Sequence, residues 1–201
     1  MKPRVLLDCD GVLADFIVHV CREVGDITGA EPPSPALVTE FDFVRCLALD
    51  QATKSALLDR IAHKPGWWED IPVMRGRSLS APAAVKVLHQ IAEVYIVTSP
   101  WVSCPTWEHQ RRRWLDNHFS IDSGRMISTS EKHLVSGDFF IDDKTESVVN
   151  WRKHQQGRAI RWNNPHNRLD DSRGVSADTG CWRTLIEWVR SPATFDALTT
   201  P

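Results

Sequence analysis

The chain has no apolar run approaching the roughly 18 to 20 residues that a membrane-spanning helix requires. Met1-Lys2-Pro3-Arg4 leads straight into strand-forming residues rather than the apolar core of a signal peptide, so a soluble, cytoplasmic protein without membrane contacts is expected. A polycationic face is equally missing. With 24 basic and 26 acidic residues in 201, the net charge of -2 supplies no electrostatic drive for polymeric nucleic acid. The one basic run, Arg111-Arg112-Arg113, reads as a solvated helix face. Five cysteines, at 9, 21, 46, 104 and 181, include no C-x-x-C pair, and their odd number argues against a complete disulfide framework. Reduced, buried thiols are expected instead. His109 and Cys104 lack partners at zinc-ligand spacing, which sets zinc aside. Neither G-x-x-x-x-G-K-S/T nor G-x-S-x-G occurs, which removes the P-loop kinase and serine-hydrolase readings. A small or phosphorylated ligand is the expectation left standing.

What the chain has in quantity is tryptophan, nine residues, enough that some could line a pocket or interface as well as a core. Short apolar runs suited to buried strands fall at 5–7, 94–97, 125–128, 138–141 and 158–162. Amphipathic stretches suited to helices fall at 14–28, ended by Gly29, and at 50–63, 80–92, 105–118, 145–155 and 181–190. This alternation predicts an α/β fold, a Rossmann-like parallel sheet with right-handed crossovers. No central strand is legible between 37 and 71, and Glu31-Pro32-Pro33-Ser34-Pro35 marks an insert boundary. The chain therefore reads as one domain, 1–201, in which residues 17–75 form a small helical cap inserted after the first strand.

The chemistry concentrates where strands of such a sheet should end. Val5-Leu6-Leu7 runs into Asp8-Cys9-Asp10-Gly11, two carboxylates one residue apart with a glycine to turn the backbone away. Thr98-Ser99 follows the second strand, Lys132 follows the third, and Asp142-Asp143 follows Phe139-Phe140-Ile141. Parallel strands direct their carboxyl ends to one crevice, where open α/β sheets bind ligands. Carboxylates crowded there repel unless a cation or a shared proton relieves them, and Mg²⁺ is the expected relief because hard cations take oxygen ligands. The set suits phosphoryl transfer from a monoester: one carboxylate attacks phosphorus, a neighbouring acid protonates the leaving oxygen, and a hydroxyl, an ammonium and Mg²⁺ hold the remaining oxygens.

These blocks resemble the four motifs of the haloacid-dehalogenase (HAD) superfamily of aspartate-nucleophile phosphatases. D-x-D-G-V-L-A-D-F at 8–16, V-T-S-P at 97–100 and the run from Lys132 to Lys144 resemble more closely the 5'(3')-deoxyribonucleotidase family and its bacterial relatives. The resemblance implies Asp8 as nucleophile and Asp10 as general acid and base, with Thr98, Ser99 and Lys132 binding phosphate. It implies a Mg²⁺ site from Asp8, Asp142, Asp143 and the backbone carbonyl of Asp10. Phe16 matches an aromatic beside the nucleotide base, with Phe43 and Trp68 as further substrate contacts from the cap. The implied partner is a small phosphomonoester, a nucleoside monophosphate first; a homodimer is left open. Cys9 stands where a larger apolar residue is expected, its side chain directed into the core.

Alternatives stay beside each signal. A sugar phosphate or other small monoester would use the same machinery, and a receiver-like signalling domain also gathers an acidic pair, a threonine and a lysine around one aspartate. A catalytically silent nucleotide-binding protein is the third rival. Ser99 or Ser103 is expected to cap the following helix. Phe41, Phe43, Trp67 and Trp68 read equally as core or as a base-stacking wall. The asparagine-rich loop at 163–167 is placed to touch a ligand, although such turns need no function.

Overall fold

The computed structural model describes residues 1–75, 79–168, 175 and 177–199. Six strands form one all-parallel sheet: β1 (Arg4–Leu7), β2 (Glu93–Thr98), β3 (Met126–Ser128), β4 (Phe139–Asp142), β5 (Arg158–Trp162) and β6 (Ala177–Thr179). Their order is β3-β2-β1-β4-β5-β6. Leu7 is in register with Ile96 on one side and Ile141 on the other, so β1 lies at the point where the strand order reverses. Crevices open at such switch points. The expected α/β parallel sheet is present.

Strand parity divides the core. Val5, Leu7, Ile96, Phe139, Ile141 and Ile160 face the larger apolar cluster, while Leu6, Val97, Phe140 and Ala159 face a smaller one under Trp151. Burial on both faces explains why β1 and β4 are continuous apolar runs in sequence rather than alternating ones.

Eight α-helices accompany the sheet among the described residues: α1 (Phe16–Thr28), α2 (Phe43–Cys46), α3 (Gln51–His63), α4 (Ala81–Ile91), α5 (Trp107–Phe119), α6 (Thr145–His154), α7 (Trp182–Arg190) and α8 (Pro192–Thr199). Asp15 caps α1 by accepting from the Val18 N–H, and Gly29 ends it at φ +66°. Ser80 caps α4. Neither Ser99 nor Ser103 caps α5, contrary to expectation. The helix starts at Trp107 behind Thr106, because two turns, Cys104 N–H to Trp101 O and Trp107 N–H to Cys104 O, occupy the chain after β2. Strand β6 and helices α2 and α8 were not legible in the sequence.

Among the described residues, the stretch between β1 and α4 contains no strand of the sheet. Its Val20, Val24, Leu57, Ile61, Trp67 and Trp68 pack into the larger cluster beneath β1. Eight of the nine tryptophans are buried, Trp101 being half-buried. None of the five cysteines forms a disulfide, and Cys9, Cys21 and Cys104 are buried. No described helix is long and apolar enough to cross a membrane.

Candidate active site

Strand β1 delivers Asp8 to the sheet edge with its own N–H still bonded to Ile141 O at 2.8 Å. The chain then folds around the Cys9 carbonyl, which accepts from the N–H groups of Val12, Leu13 and Ala14. Gly11 makes that turn at φ +76°. Its missing side chain matters twice. A Cβ there would lie 1.8 Å from Asp143 Oδ2, so the acidic residue after β4 closes onto the turn after β1.

Lys132, in a one-turn helix after β3 (Lys132–Leu134), links the two edges. Its buried ammonium lies 2.8 Å from Asp8 Oδ1 and donates to Asp142 Oδ2 at 2.6 Å. Asp8 Oδ1 also accepts from the Cys9 N–H at 2.7 Å, and Asp142 Oδ1 accepts from the Lys144 N–H at 2.8 Å. Burial raises the Asp8 carboxyl well above the ordinary aspartate range and Asp142 raises it further, with only partial relief from Lys132. Asp142 is raised too, chiefly by burial. Burial opposes the Lys132 charge, but Asp142 and Asp8 outweigh it and hold the ammonium above the usual lysine range.

Asp8, Asp142 and Asp143 each offer an oxygen within 4.8 Å of the others. Three buried carboxylates with one lysine between them form an oxygen-only donor set with uncompensated negative charge, which fits a hard divalent cation. The Asp10 side chain is not part of this set. Both its oxygens accept from Arg111 Nη2, at 2.8 and 3.1 Å.

Thr98, buried at the end of β2, lines the same cavity of about 320 Å³ as Ser99, Asp8, Asp10, Lys132, Asp142 and Asp143. Four signals distant in sequence thus converge. Aromatic rings line the same cavity. Phe16 contacts Phe43 edge-on at 5.5 Å, Trp67 edge-on at 5.8 Å, and Trp68 stacked at 5.9 Å, with Trp101 tilted at 6.3 Å. Phe16, Phe43, Trp68 and Trp101 line the cavity, whereas Trp67 is fully buried behind them. Trp68, only 1% exposed, is core and wall at once: its indole N–H donates to Ile61 O at 3.0 Å. Phe41, 56% exposed, stands at the mouth with the Lys144 ammonium 4.8 Å from its ring centre.

Two features go beyond the sequence, which places the loop at 163–167 near a ligand without its contacts and reads Arg111 as part of a solvated face. The loop after β5 reaches over Asp143: His166 Nε2 lies 2.8 Å and Asn164 Nδ2 3.3 Å from its Oδ2, while Asn167 Nδ2 donates to its backbone carbonyl at 2.6 Å. Asn164 Nδ2 also donates to Gly11 O at 2.7 Å. Nothing in an Asn-Asn-Pro-His-Asn run announces this. Arg111 is the second, and here the solvated-face expectation fails. Arg112 pairs with Glu108 and Arg113 with Glu69 on the outer surface of α5. Arg111, by contrast, shares the inward stripe of Trp107 and Trp114, at spacings of four and three, and is wholly buried. That stripe was visible in the sequence.

Residues 2–178 match the family model described as 5' nucleotidase, deoxy (pyrimidine), cytosolic type C protein. The human 5'(3')-deoxyribonucleotidase of cytosolic type is 34% identical over 94% of this chain and 96% of its own length. A Bordetella pertussis protein named provisionally for the same activity is 28% identical over 94% and 99%. Among solved structures, a haloacid dehalogenase-like hydrolase from Streptococcus pneumoniae superposes with a TM-score of 0.56 at 14% identity, covering 93% of this chain and 98% of that one. The solved structure shares the fold, and the family model together with the human relative shows that the chain is a phosphatase belonging to the 5' nucleotidase, deoxy (pyrimidine), cytosolic type C family.

Proposed function

We propose that this protein hydrolyses the phosphate ester of (deoxy)ribonucleoside monophosphates through an aspartyl-phosphate on Asp8. The observation that carries this reading is one cavity lined both by Asp8, Lys132 and Thr98 and by Phe16, Phe43 and Trp68. The charged wall suits a phosphoryl group; the ring wall suits a flat apolar base.

In the first half-reaction Asp8 Oδ attacks phosphorus in line, the bond from phosphorus to the ester oxygen breaks, and the electron pair leaving with that oxygen takes a proton from the Asp10 carboxyl. In the second, water attacks phosphorus, its proton passes to the Asp10 carboxylate, and the bond to Asp8 breaks to free inorganic phosphate. Burial holds the Asp10 carboxyl above the ordinary aspartate range, against the lowering pull of Arg111, which favours a proton-carrying form. Lys132 neutralises charge on the transferring oxygens, and Thr98 and Ser99 donate to them. Asp8, Asp142 and Asp143, with the Asp10 backbone carbonyl, would hold Mg²⁺, which when bound adds positive charge against the phosphoryl oxygens. His166, Asn164 and Asn167 keep the Asp143 donor in place. Residues 17–75 act as the cap that carries Phe41, Phe43 and Trp68 over the phosphate site.

The test is phosphate release from a panel of nucleoside monophosphates and sugar phosphates with Mg²⁺ present. Higher kcat/KM for the nucleotides supports the reading. Preference for a sugar phosphate keeps the mechanism and rejects the substrate, and a single turnover with a long-lived phosphoprotein would indicate a receiver-like role.

A further inference from the structure

The carboxylates of the site are sorted among separate partners: Asp8 and Asp142 share Lys132, Asp143 has His166 and Asn164, and Asp10 has Arg111. Of these partners Arg111 is the strangest. Its side chain is 0% exposed, yet a single nitrogen, Nη2, makes both hydrogen bonds to Asp10. Nε and Nη1 are buried without any hydrogen-bond acceptor among the described residues. What surrounds them is indole: the guanidinium carbon lies 5.1, 5.4 and 6.0 Å from the ring centres of Trp68, Trp114 and Trp107. A buried guanidinium normally uses its fork of donors on carboxylates or carbonyls. Here cation–π contacts replace them, so Asp10 is the sole anion pairing with this charge among the described residues.

Such a cation cannot drift. It is held among three rings and attracted chiefly toward Asp10, with Asp8 adding a weaker pull and Asp10 alone in hydrogen-bond contact. The Asp10 side chain, by contrast, is 30% exposed and opens onto the cavity, where it would be free to rotate without a tether. Trp68 connects the two settings, because the ring against the guanidinium also stacks on Phe16 in the cavity wall.

We infer that Arg111 is a positioning residue: from its tryptophan cage it holds the Asp10 carboxylate at the ester oxygen, and the shared Trp68 ring keeps that carboxylate in fixed relation to the wall on which the leaving group rests. The inference rests on the proposed acid–base role of Asp10. Proton delivery to the leaving oxygen and proton removal from the attacking water both need this carboxyl in one place, and small displacements there are costly.

The test compares kcat/KM for a nucleoside monophosphate, whose alkoxide leaving group needs a proton, with that for p-nitrophenyl phosphate, whose leaving group does not. The variants are Arg111→Met, Arg111→Lys, Asp10→Asn and the double variant Asp10→Asn/Arg111→Met, each checked for fold by circular dichroism. Arg111→Met should lower the nucleotide value on the order of 10- to 100-fold more than the p-nitrophenyl value. Arg111→Lys should recover part of that difference. In the Asp10→Asn background the arginine replacement should cost almost nothing more, since the two act as one unit. Equal losses on both substrates, or losses that multiply in the double variant, overturn the inference. Should Arg111→Met fail to fold, Arg111→Lys against Asp10→Asn/Arg111→Lys gives the same comparison. A leaving-group-selective loss in Asp10→Asn with none in the arginine variants removes the positioning role alone, whereas unchanged activity in Asp10→Asn removes the acid assignment and this inference with it.

Discussion

The Asp143 carboxylate occupies the space in which a side chain on Gly11 would begin, 1.8 Å from the ideal Cβ position. Two of the four motifs are thus in contact through an absence. Gly11→Ala meets this clash and also a left-handed backbone at φ +76°, which costs an L-residue roughly 1 to 2 kcal/mol. Asp143 must shift to accommodate it, so the variant should need more Mg²⁺ for half-maximal activity. His166→Ala, which deletes a partner of Asp143 without touching the backbone turn, should weaken Mg²⁺ binding about 10- to 100-fold. Titration calorimetry checks both, and unchanged metal affinity in His166→Ala would remove the bracing role.

Lys132 bridges Asp8, the proposed nucleophile, and Asp142, so its loss leaves two buried carboxylates without their cation. Lys132→Met should lower kcat and weaken phosphate binding together, by about 100-fold or more in kcat/KM. Steady-state kinetics with inorganic phosphate as competitive inhibitor measures both; an intact inhibition constant with normal turnover would return this lysine to a structural role.

The ring wall predicts a split between substrates. Phe16→Ala should cost roughly 1 to 3 kcal/mol of transition-state binding for a nucleotide, on the scale of one base–aromatic stack, and less for p-nitrophenyl phosphate. Phe43→Ala should follow the same pattern. Trp68→Ala should instead impair both substrates, because Trp68 packs the core and cages Arg111 as well as lining the cavity. Equal losses on both substrates in Phe16→Ala and Phe43→Ala would make all these rings core.

Away from the site, the buried Glu23 of α1 accepts from Lys64 Nζ at 2.6 Å and Arg60 Nη1 at 3.3 Å. Burial opposes its charge, but Lys64 and Arg60 together hold the carboxyl below its ordinary value of 4.5. A depressed folded pKa stabilises above the unfolded value, and that stabilisation is lost as pH falls through the folded one. Glu23→Gln should therefore destabilise by roughly 1 to 3 kcal/mol at neutral pH, with the gap to the parent closing in the acid range. Urea unfolding across pH reads this directly. A gap independent of pH would mean that packing, not charge, accounts for the effect.

The central strands were legible because burial on both faces turns them into unbroken apolar runs ending in polar motifs, as in Val5-Leu6-Leu7-Asp8. Strand β6 was not. Ala-Asp-Thr carries no apolar signal, and only its pairing with β5 makes it a strand. Asp8, Lys132 and Asp142 could be placed together because strand ends converge in a parallel sheet. The partners of Asp143 come from a loop whose asparagines fit any turn, so only the folded chain reveals them. Arg111 lies between: the inward stripe Trp107, Arg111, Trp114 is in the sequence, but its carboxylate partner is 101 residues away.

The central claim is a covalent bond between phosphorus and Asp8. The most direct measurement is to quench the enzyme during turnover of a nucleoside monophosphate with Mg²⁺, reduce with borohydride, and map the products by peptide mass spectrometry. An acyl phosphate at Asp8 is reduced to homoserine, so residue 8 should be converted only when substrate and metal are both present, and Asp8→Asn should neither convert nor release phosphate. Steady release of phosphate with residue 8 unmodified, or by Asp8→Asn at the parental rate, would contradict the account.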